Sequence, residues 1–171
     1  MSSNLLDQSS RGVLYVHSAP GALCPHVEWA AAAVFGDPAR FDWTVQPAER
    51  SSYRTEFAWT GPAGTAARLT SAFQGWQRIR FEVTEDPTAT SEGVRYAYTP
   101  DLGVFQAAIG QHGDIMVPEE RIKHAIATDA LGGKDLLASL DELLGRPWDD
   151  ELEVFRHAGE DAPVRWLHQV V

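Results

Sequence analysis

The sequence predicts a single α+β domain whose core follows the ferredoxin-like order β-α-β-β-α-β. Short segments in which apolar and polar residues alternate are typical of half-buried strands. Between them, apolar residues recur every three or four positions, which is typical of helices. Further alternating segments follow this core before the pattern turns helical. We therefore predict that a β-meander extends the sheet and that the C-terminal part is helical.

The elements of the core are separated by glycine and proline. Residues 12–18 form an apolar, β-branched run that predicts a buried strand. Pro25 suits the first position of a helix, where its missing N–H is no loss, and apolar residues at helical spacing continue this helix to Phe35. The other elements of the core are three alternating strands and one helix, at residues 41–46, 53–59, 78–84 and 65–76.

The second half of the chain is predicted to add three strands and three helices. The strands lie at residues 94–99, 104–109 and 115–117, and the helices at residues 118–128, 134–144 and 147–157. Five leucines of the middle helix share its predicted core side: Leu136, Leu137, Leu140, Leu143 and Leu144. Residues 164–171 alternate weakly and are predicted to add an edge strand. Residues 1–11 are predicted to be a disordered tail, so the domain spans residues 12–171.

Charge and composition restrict the class of protein. The formal net charge of −10 repels phosphate backbones, which disfavours nucleic-acid binding. The single cysteine, Cys24, allows no intramolecular disulfide and fits a reducing compartment. The longest uncharged apolar run, residues 29–35, is far shorter than the roughly 20 residues of a membrane span. The N-terminus lacks the basic and apolar regions of a signal peptide, so we expect a cytoplasmic protein.

Five stretches of the chain resemble a known family. The longest are LYVHSAPGALCPHVEWA at residues 14–30 and RLTSAFQGWQRIRFEVTEDP at residues 68–87. The others lie at residues 41–47 (FDWTVQP), 98–105 (YTPDLGVF) and 113–122 (GDIMVPEERI). On these motifs the chain resembles a bacterial family catalogued as domain of unknown function 3145. The resemblance carries over no catalytic residue, substrate or cofactor. It suggests a link to fatty-acid metabolism.

The densest group of reactive side chains lies where the first strand meets the first helix. It consists of His17, Ser18, Cys24, His26 and Glu28. A helix N-terminus lowers the pKa of a thiol and binds anions, so Cys24 could be a nucleophile with His17 or His26 as its base. The group could instead hold an anion or, against the usual zinc spacing, a metal. We favour a simpler interpretation, in which Cys24 is a buried apolar residue and the histidines satisfy backbone groups.

A second group lies on the polar face of the predicted sheet. Strand alternation places nine side chains there: Val13, Tyr15, His17, Arg54, Glu56, Arg78, Arg80, Glu82 and Arg95. An arginine patch on an acidic protein can bind a carboxylate, a phosphate or an acidic partner. Alternatively, the face is solvated, with arginine–glutamate pairs across the strands, or it is covered by the acidic helix that carries residues 149–153.

These patterns lead to two hypotheses about function. The first is a binding or regulatory module that recognises an acidic ligand or protein partner through Arg54, Arg78, Arg80, Tyr15 and His17, without a metal or cofactor, and that can form a homodimer. In this hypothesis the arginines contribute more to binding than to folding. The alternative is a small enzyme that uses Cys24 with His17 or His26. Residues 132–134 (GGK) lack the upstream glycine and the hydroxyl residue of a phosphate-binding loop.

Overall fold

The structure, a computed structural model, describes residues 9–159. Within these residues, seven strands form one antiparallel sheet: β1 (Ser9–Pro20), β2 (Thr44–Val45), β3 (Ser52–Pro62), β4 (Arg80–Glu85), β5 (Gly93–Thr99), β6 (Gly103–Ile109) and β7 (Ile115–Met116). Their order across the sheet is β2-β3-β1-β4-β5-β6-β7. The α+β class is thus confirmed, and β4 to β7 form the predicted meander. A sheet of seven strands is not a simple ferredoxin fold.

The described part of the chain also contains five α-helices: α1 (Cys24–Phe35), α2 (Thr65–Phe73), α3 (Glu119–Ala130), α4 (Leu136–Leu143) and α5 (Arg146–His157). A short 3-10 turn, Gly21–Leu23, joins β1 to α1. No helix within residues 9–159 is both long enough and apolar enough to cross a membrane.

Helices lie on both faces of the sheet. On one face, α1 and α2 pack against the larger apolar core, in which Leu14, Val16 and Phe81 are essentially fully buried. On the other face, α5 buries Leu152 against β5 and β6, where it meets Ala97 and Phe105. The strands therefore alternate between two buried environments, and the second is polar near β1 and apolar near β6.

The observed strands differ from the predictions at three places. β1 begins at Ser9 and so includes residues 9–11 of the predicted tail, because their backbone pairs with the far end of β3. Of the predicted strand at residues 41–46, only Thr44–Val45 pairs in the sheet, since the N–H of Phe41 bonds to Glu28 of α1 instead. The strand predicted at residues 78–84 begins at Arg80, because residues 77 and 78 form a turn after α2.

The prediction that all five leucines at residues 136–144 face the core was also wrong in part. Leu137 and Leu144 are 67% and 47% exposed, which contradicts their assignment to the core side. Leu136, Leu140 and Leu143 are partly buried. The reason is that α4 packs mainly against the neighbouring helices α3 and α5, which leave part of its surface uncovered. The edge strand predicted at residues 164–171 lies outside the described residues.

Candidate functional site: a polar pocket beside the bulge of β1

A β-bulge in β1 positions the polar side chains at its end. Val16 pairs with Phe81 of β4 and Ser18 pairs with the adjacent Arg80, so His17 is the additional residue. The pairing of β1 with β3 shifts at the same place. A bulge allows two consecutive side chains to point to the same face. His17 and Ser18 both face α5, while Val16 and Ala19 remain in the apolar core.

Gln46 is hydrogen-bonded to the backbone at this bulge. Its side chain is 1% exposed, and its Nε2 donates hydrogen bonds to the carbonyl oxygens of His17, at 2.6 Å, and of Phe155 in α5, at 3.1 Å. Its Oε1 accepts a hydrogen bond from the N–H of Ala48. Gln46 therefore satisfies a carbonyl at the bulge and ties the end of α5 to the sheet.

The carboxylate of Glu82 is the centre of a buried ionic cluster. It accepts hydrogen bonds from Nε2 of His17 at 2.6 Å, from Arg95 at 2.7 and 3.2 Å, and from Arg156 of α5 at 2.6 and 3.1 Å. Asp149, also in α5, bridges the same two arginines. The Glu82 side chain is only 9% exposed. The cluster therefore fixes the orientation of the His17 ring.

The protonation state of Glu82 follows from these contacts. Burial alone would raise the pKa of its carboxyl group, but the hydrogen bonds and charges of His17 and Arg156 outweigh burial and hold the pKa well below its usual range. The pKa of Arg156 moves upward, because Glu82 and Asp149 outweigh the effect of its burial. Glu82 is therefore ionised at neutral pH and acts only as an acceptor.

Arg80 belongs to a second network under α5. Its guanidinium lies within hydrogen-bonding distance of Ser18 and Glu49, both at 3.2 Å, and of Glu151 at 3.4 Å. The same group lies over the ring of Phe155, 4.4 Å from its centre. Only 17% of the Arg80 side chain is exposed, so at this position the alternative in which the acidic helix covers the face applies. The acidic helix therefore covers this part of the face, where its carboxylates contact the arginines of the sheet.

Beyond the covered part, the same face carries an open pocket of about 550 Å³. It lies between β1, β3 and the end of α5. Three of the predicted binding residues, Tyr15, His17 and Arg54, are brought together in its lining. The remaining lining residues are Val16, Asp42, Thr44, Thr55, Glu56, Glu82, Phe155 and Arg156. The rings of Tyr15 and His17 are parallel, with their centres 6.0 Å apart.

Arg54 is the cation of this pocket that no carboxylate neutralises by direct contact in the described part of the chain. Its one hydrogen bond there is donated by Nη1 to the carbonyl oxygen of Ala158, at 2.8 Å. A guanidinium has five N–H groups, so most of the Arg54 donors have no partner within residues 9–159. Asp42 and Glu56, which also line the pocket, are exposed carboxylates without a salt bridge within residues 9–159. The pocket thus offers both a cation and acceptors.

Within residues 9–159, the structure does not bring together the side chains of the alternative cysteine site. Cys24, the first residue of α1, lies in the apolar core, and its thiol donates to the carbonyl oxygen of Pro20 at 3.7 Å. Burial is the main reason that the pKa of this thiol is raised. His17 is held on the opposite face of the sheet by Glu82, and His26 is exposed and meets the ring of Trp29 edge to face. Neither histidine is hydrogen-bonded to Cys24 among the described residues.

The other residues singled out in the sequence have separate positions. Arg78 is exposed in the turn before β4 and makes no hydrogen bond or salt bridge within the described part of the chain. Glu28 accepts hydrogen bonds from the backbone of Phe41 and the indole of Trp43, so its role is to hold the segment after α1. Residues 9–159 contain no group of three or more His, Cys, Asp or Glu side chains that could hold a metal ion.

A second cavity, of about 970 Å³, lies between β6, β7 and the helices α3 and α4. Its floor includes Phe105, Ala107 and Trp148, and its rim carries paired and unpaired charges. None of the predicted site residues lies in it. It differs from the first pocket because its lining is mainly apolar.

Residues 13–169 match the model of a protein family described as Protein of unknown function (DUF3145). The chain belongs to this family. No curated protein and no solved structure matches this chain. The resemblance noted in the sequence is thereby confirmed.

The match to the DUF3145 family covers the whole candidate site. All residues that line the first pocket, from Tyr15 to Arg156, lie within the matched range. Sequence reasoning missed Gln46 and Arg156. Gln46 alternates like an outward-facing strand residue, and Arg156 is one of several charged residues on an amphipathic helix, so no local signal separates either from solvent-exposed residues.

Proposed function

We propose that this protein is a non-catalytic binding module that holds a small ligand with a carboxylate or phosphate group in the pocket beside β1 and β3. The observation that carries the proposal is Arg54, whose guanidinium lines the pocket and makes its one hydrogen bond in the described chain to a neutral carbonyl group. Charge-assisted hydrogen bonds from arginine to carboxylate or phosphate are among the stronger polar contacts in proteins. In this proposal, the acidic ligand predicted from the sequence binds through the guanidinium of Arg54.

The other arginines favour this pocket over a broad arginine surface. Arg80, Arg95 and Arg156 are already paired with carboxylates of β4 or α5. An acidic protein partner would have to displace α5 to reach them, whereas a small anion can reach Arg54 directly. The exposed carboxylates of Asp42 and Glu56 repel a large polyanion and accept hydrogen bonds from donors on a small ligand.

A titration with inorganic phosphate and with succinate, followed by calorimetry at low salt, tests the proposal. We expect both anions to bind the wild-type protein. Arg54→Ala should weaken binding about tenfold or more, because a hydrogen bond to a charged group contributes about 1.5–3 kcal/mol. Arg54→Lys should retain part of the affinity, since it keeps the charge but loses the planar fork. The matched control is Arg78→Ala, which removes an exposed arginine outside the pocket.

Two results would contradict the proposal. One is that neither anion binds the wild-type protein at low salt. The other is that Arg78→Ala weakens binding as much as Arg54→Ala does, because the anions would then respond to total charge and not to the pocket.

Several finer expectations stay predictions. We interpret the segment from β1 to β4 as a ferredoxin-like core, on the ground that β1 lies between β3 and β4. The cytoplasmic location, the homodimer and the link to fatty-acid metabolism are supported by sequence pattern or resemblance alone.

A further inference from the structure

Strand β6 has an open edge along most of its length. β7 pairs with it only at Ala108 and Ile109, because β7 ends at Met116. Within residues 9–159, no other strand lies beside residues 103–107 on that side. Five residues of an antiparallel strand measure about 17 Å, which leaves room for a short segment of another chain to pair there.

The register of β6 with β7 shows which backbone groups face this open edge. The N–H of Gly110 donates to the carbonyl oxygen of Asp114, in the same register that pairs Ala108 with β7. In an antiparallel ladder, alternate residues direct their backbone groups to the same neighbour. The N–H and C=O groups of Gln106 and Val104 therefore point away from β5 and towards the open edge.

The sequence of β6 lacks the features that usually protect an edge. Residues 103–109 (GVFQAAI) contain no charged residue and no proline, both of which discourage pairing with another chain. The second cavity, of about 970 Å³, lies between this edge and the helices α3 and α4, so the helices do not fill the space beside it. An open strand edge beside an apolar groove is the arrangement to which extended peptides add as an extra strand.

The walls of the cavity indicate which side chains the added strand carries. Phe105 and Ala107 form part of an apolar floor, which suits apolar side chains. Arg121 of α3 also lines the cavity, is exposed, and its guanidinium makes no hydrogen bond or salt bridge within residues 9–159. The acids and the lysine of the rim form salt bridges: Glu120 with Lys123, and Lys134 with Glu142. The charge that the described rim leaves without a partner is therefore positive.

We propose that the open edge of β6 binds an extended peptide segment of a protein partner, with apolar side chains in the cavity and an acidic side chain on Arg121. The segment lies in line with β7 and bonds to the backbone of Val104 and Gln106. This inference goes beyond the proposed function and does not depend on it, because Arg54 lies in β3, towards the opposite end of the sheet.

A seven-residue peptide with blocked ends, acetyl-TVDVDVT-amide, is a suitable probe. Its sequence reads the same in both directions, so it suits either orientation along β6. We expect calorimetry to show that it binds the wild-type protein about tenfold or more tightly than acetyl-TVKVKVT-amide, in which lysine meets Arg121. Arg121→Ala should weaken binding of the aspartate peptide about three- to fivefold. Lys123→Ala is the matched control, since it removes the same charge from α3 at a position outside the cavity.

Hydrogen exchange of the wild-type protein tests the backbone contacts directly. The amides of Val104 and Gln106 should exchange rapidly in the free protein and about tenfold or more slowly with saturating aspartate peptide. The amides of Phe105 and Ala107 bond to β5 and are the internal control. Methylation of all the valine nitrogens, or of all the aspartate nitrogens, should abolish binding of only one of the two peptides, because a strand bonds to β6 through alternate residues.

Several results would overturn this inference. One is that the aspartate peptide does not bind, or binds no better than the lysine peptide. Another is that it binds while the amides of Val104 and Gln106 exchange at their free rate. If these amides are already protected in the free protein and sedimentation shows a dimer, the edge is occupied by a second copy of the chain and the peptide assignment is wrong. The titration of Arg54 with succinate tests the proposed function separately.

Discussion

The side-chain amide of Gln46 lies 2.6 Å from the carbonyl oxygen of His17 and donates a hydrogen bond to it. This contact joins the segment before β3 to the bulge of β1, and a second bond from the same nitrogen reaches the backbone of Phe155 in α5. Three parts of the chain that are distant in sequence therefore meet at one buried side chain. The pocket lies directly beside this junction.

The first prediction concerns Gln46→Ala. The substitution removes the donor for two carbonyl oxygens, and an unsatisfied buried polar group costs about 1–3 kcal/mol. We expect the free energy of unfolding, measured with urea, to fall by about 2–4 kcal/mol. Thr44→Ala, at an exposed position in β2, is the control and should change it by less than about 0.5 kcal/mol. If Gln46→Ala lowers the free energy of unfolding no more than Thr44→Ala does, the junction at Gln46 is not buried in solution.

The second prediction concerns the pH dependence of stability. The pKa of Glu82 is lower in the folded protein than in the unfolded chain, so its contribution is complete above the unfolded value of about 4.3 and declines as the pH falls below it. Glu82→Gln should destabilise the protein by about 3–5 kcal/mol at neutral pH, because it leaves Arg95 and Arg156 buried without their central carboxylate.

The comparison of unfolding free energies at about pH 7 and about pH 3 checks this prediction. The difference between wild type and Glu82→Gln should shrink at the lower pH. Glu56→Gln is the control, since Glu56 is an exposed carboxylate on the same face. If the two variants show the same pH dependence, the stabilising role of Glu82 has to be given up.

Successive side chains of a strand point to opposite faces of the sheet, and this alternation explains how much of the site the sequence predicts. Tyr15, His17, Arg54, Glu82 and Arg95 were placed on one face of the sheet, and alternation alone is sufficient for that, because it is a local property of each strand. The bulge at His17 and Ser18 is different, since it depends on the register of β1 with two other strands. Pairing across the chain leaves no local trace in the sequence.

The cover over the arginine face could be predicted only as an alternative. The acidic residues of α5 were recognised, but charge complementarity does not decide between a helix that covers the face and one that stands in solvent. Burial of Leu152 against Ala97 and Phe105 decides between them, because it holds α5 on the sheet. With α5 in this position, Asp149 contacts Arg95 and Glu151 contacts Arg80. Tertiary packing of an apolar face thus fixes the ionic contacts.

The third prediction concerns Cys24. Its thiol is buried and its pKa is raised, so little reactive thiolate forms at neutral pH. We expect a thiol reagent to label the native protein much more slowly than the same protein in denaturant. Cys24→Ala gives the background of the assay. Labelling of the native protein at the rate of a free thiol would show that the cysteine is accessible, and it would restore the hypothesis of a cysteine enzyme.

The fourth prediction compares three neighbouring positions, Arg78, Arg80 and Phe81. Arg78→Ala should change the free energy of unfolding by less than about 0.5 kcal/mol, because this side chain is exposed and makes no hydrogen bond or salt bridge within residues 9–159. Phe81→Ala should cost about 3–5 kcal/mol, since its ring is fully buried between Phe73 and Tyr98.

Arg80→Ala is the informative member of this series. An exposed strand arginine would behave like Arg78, but Arg80 contacts Ser18, Glu49 and Glu151 under α5, so its removal should cost about 1–3 kcal/mol. Its effect should therefore lie between those of its neighbours in thermal and urea unfolding. A cost equal to that of Arg78→Ala would mean that α5 leaves this face open in solution, and Arg80 would then be available to an acidic partner alongside Arg54.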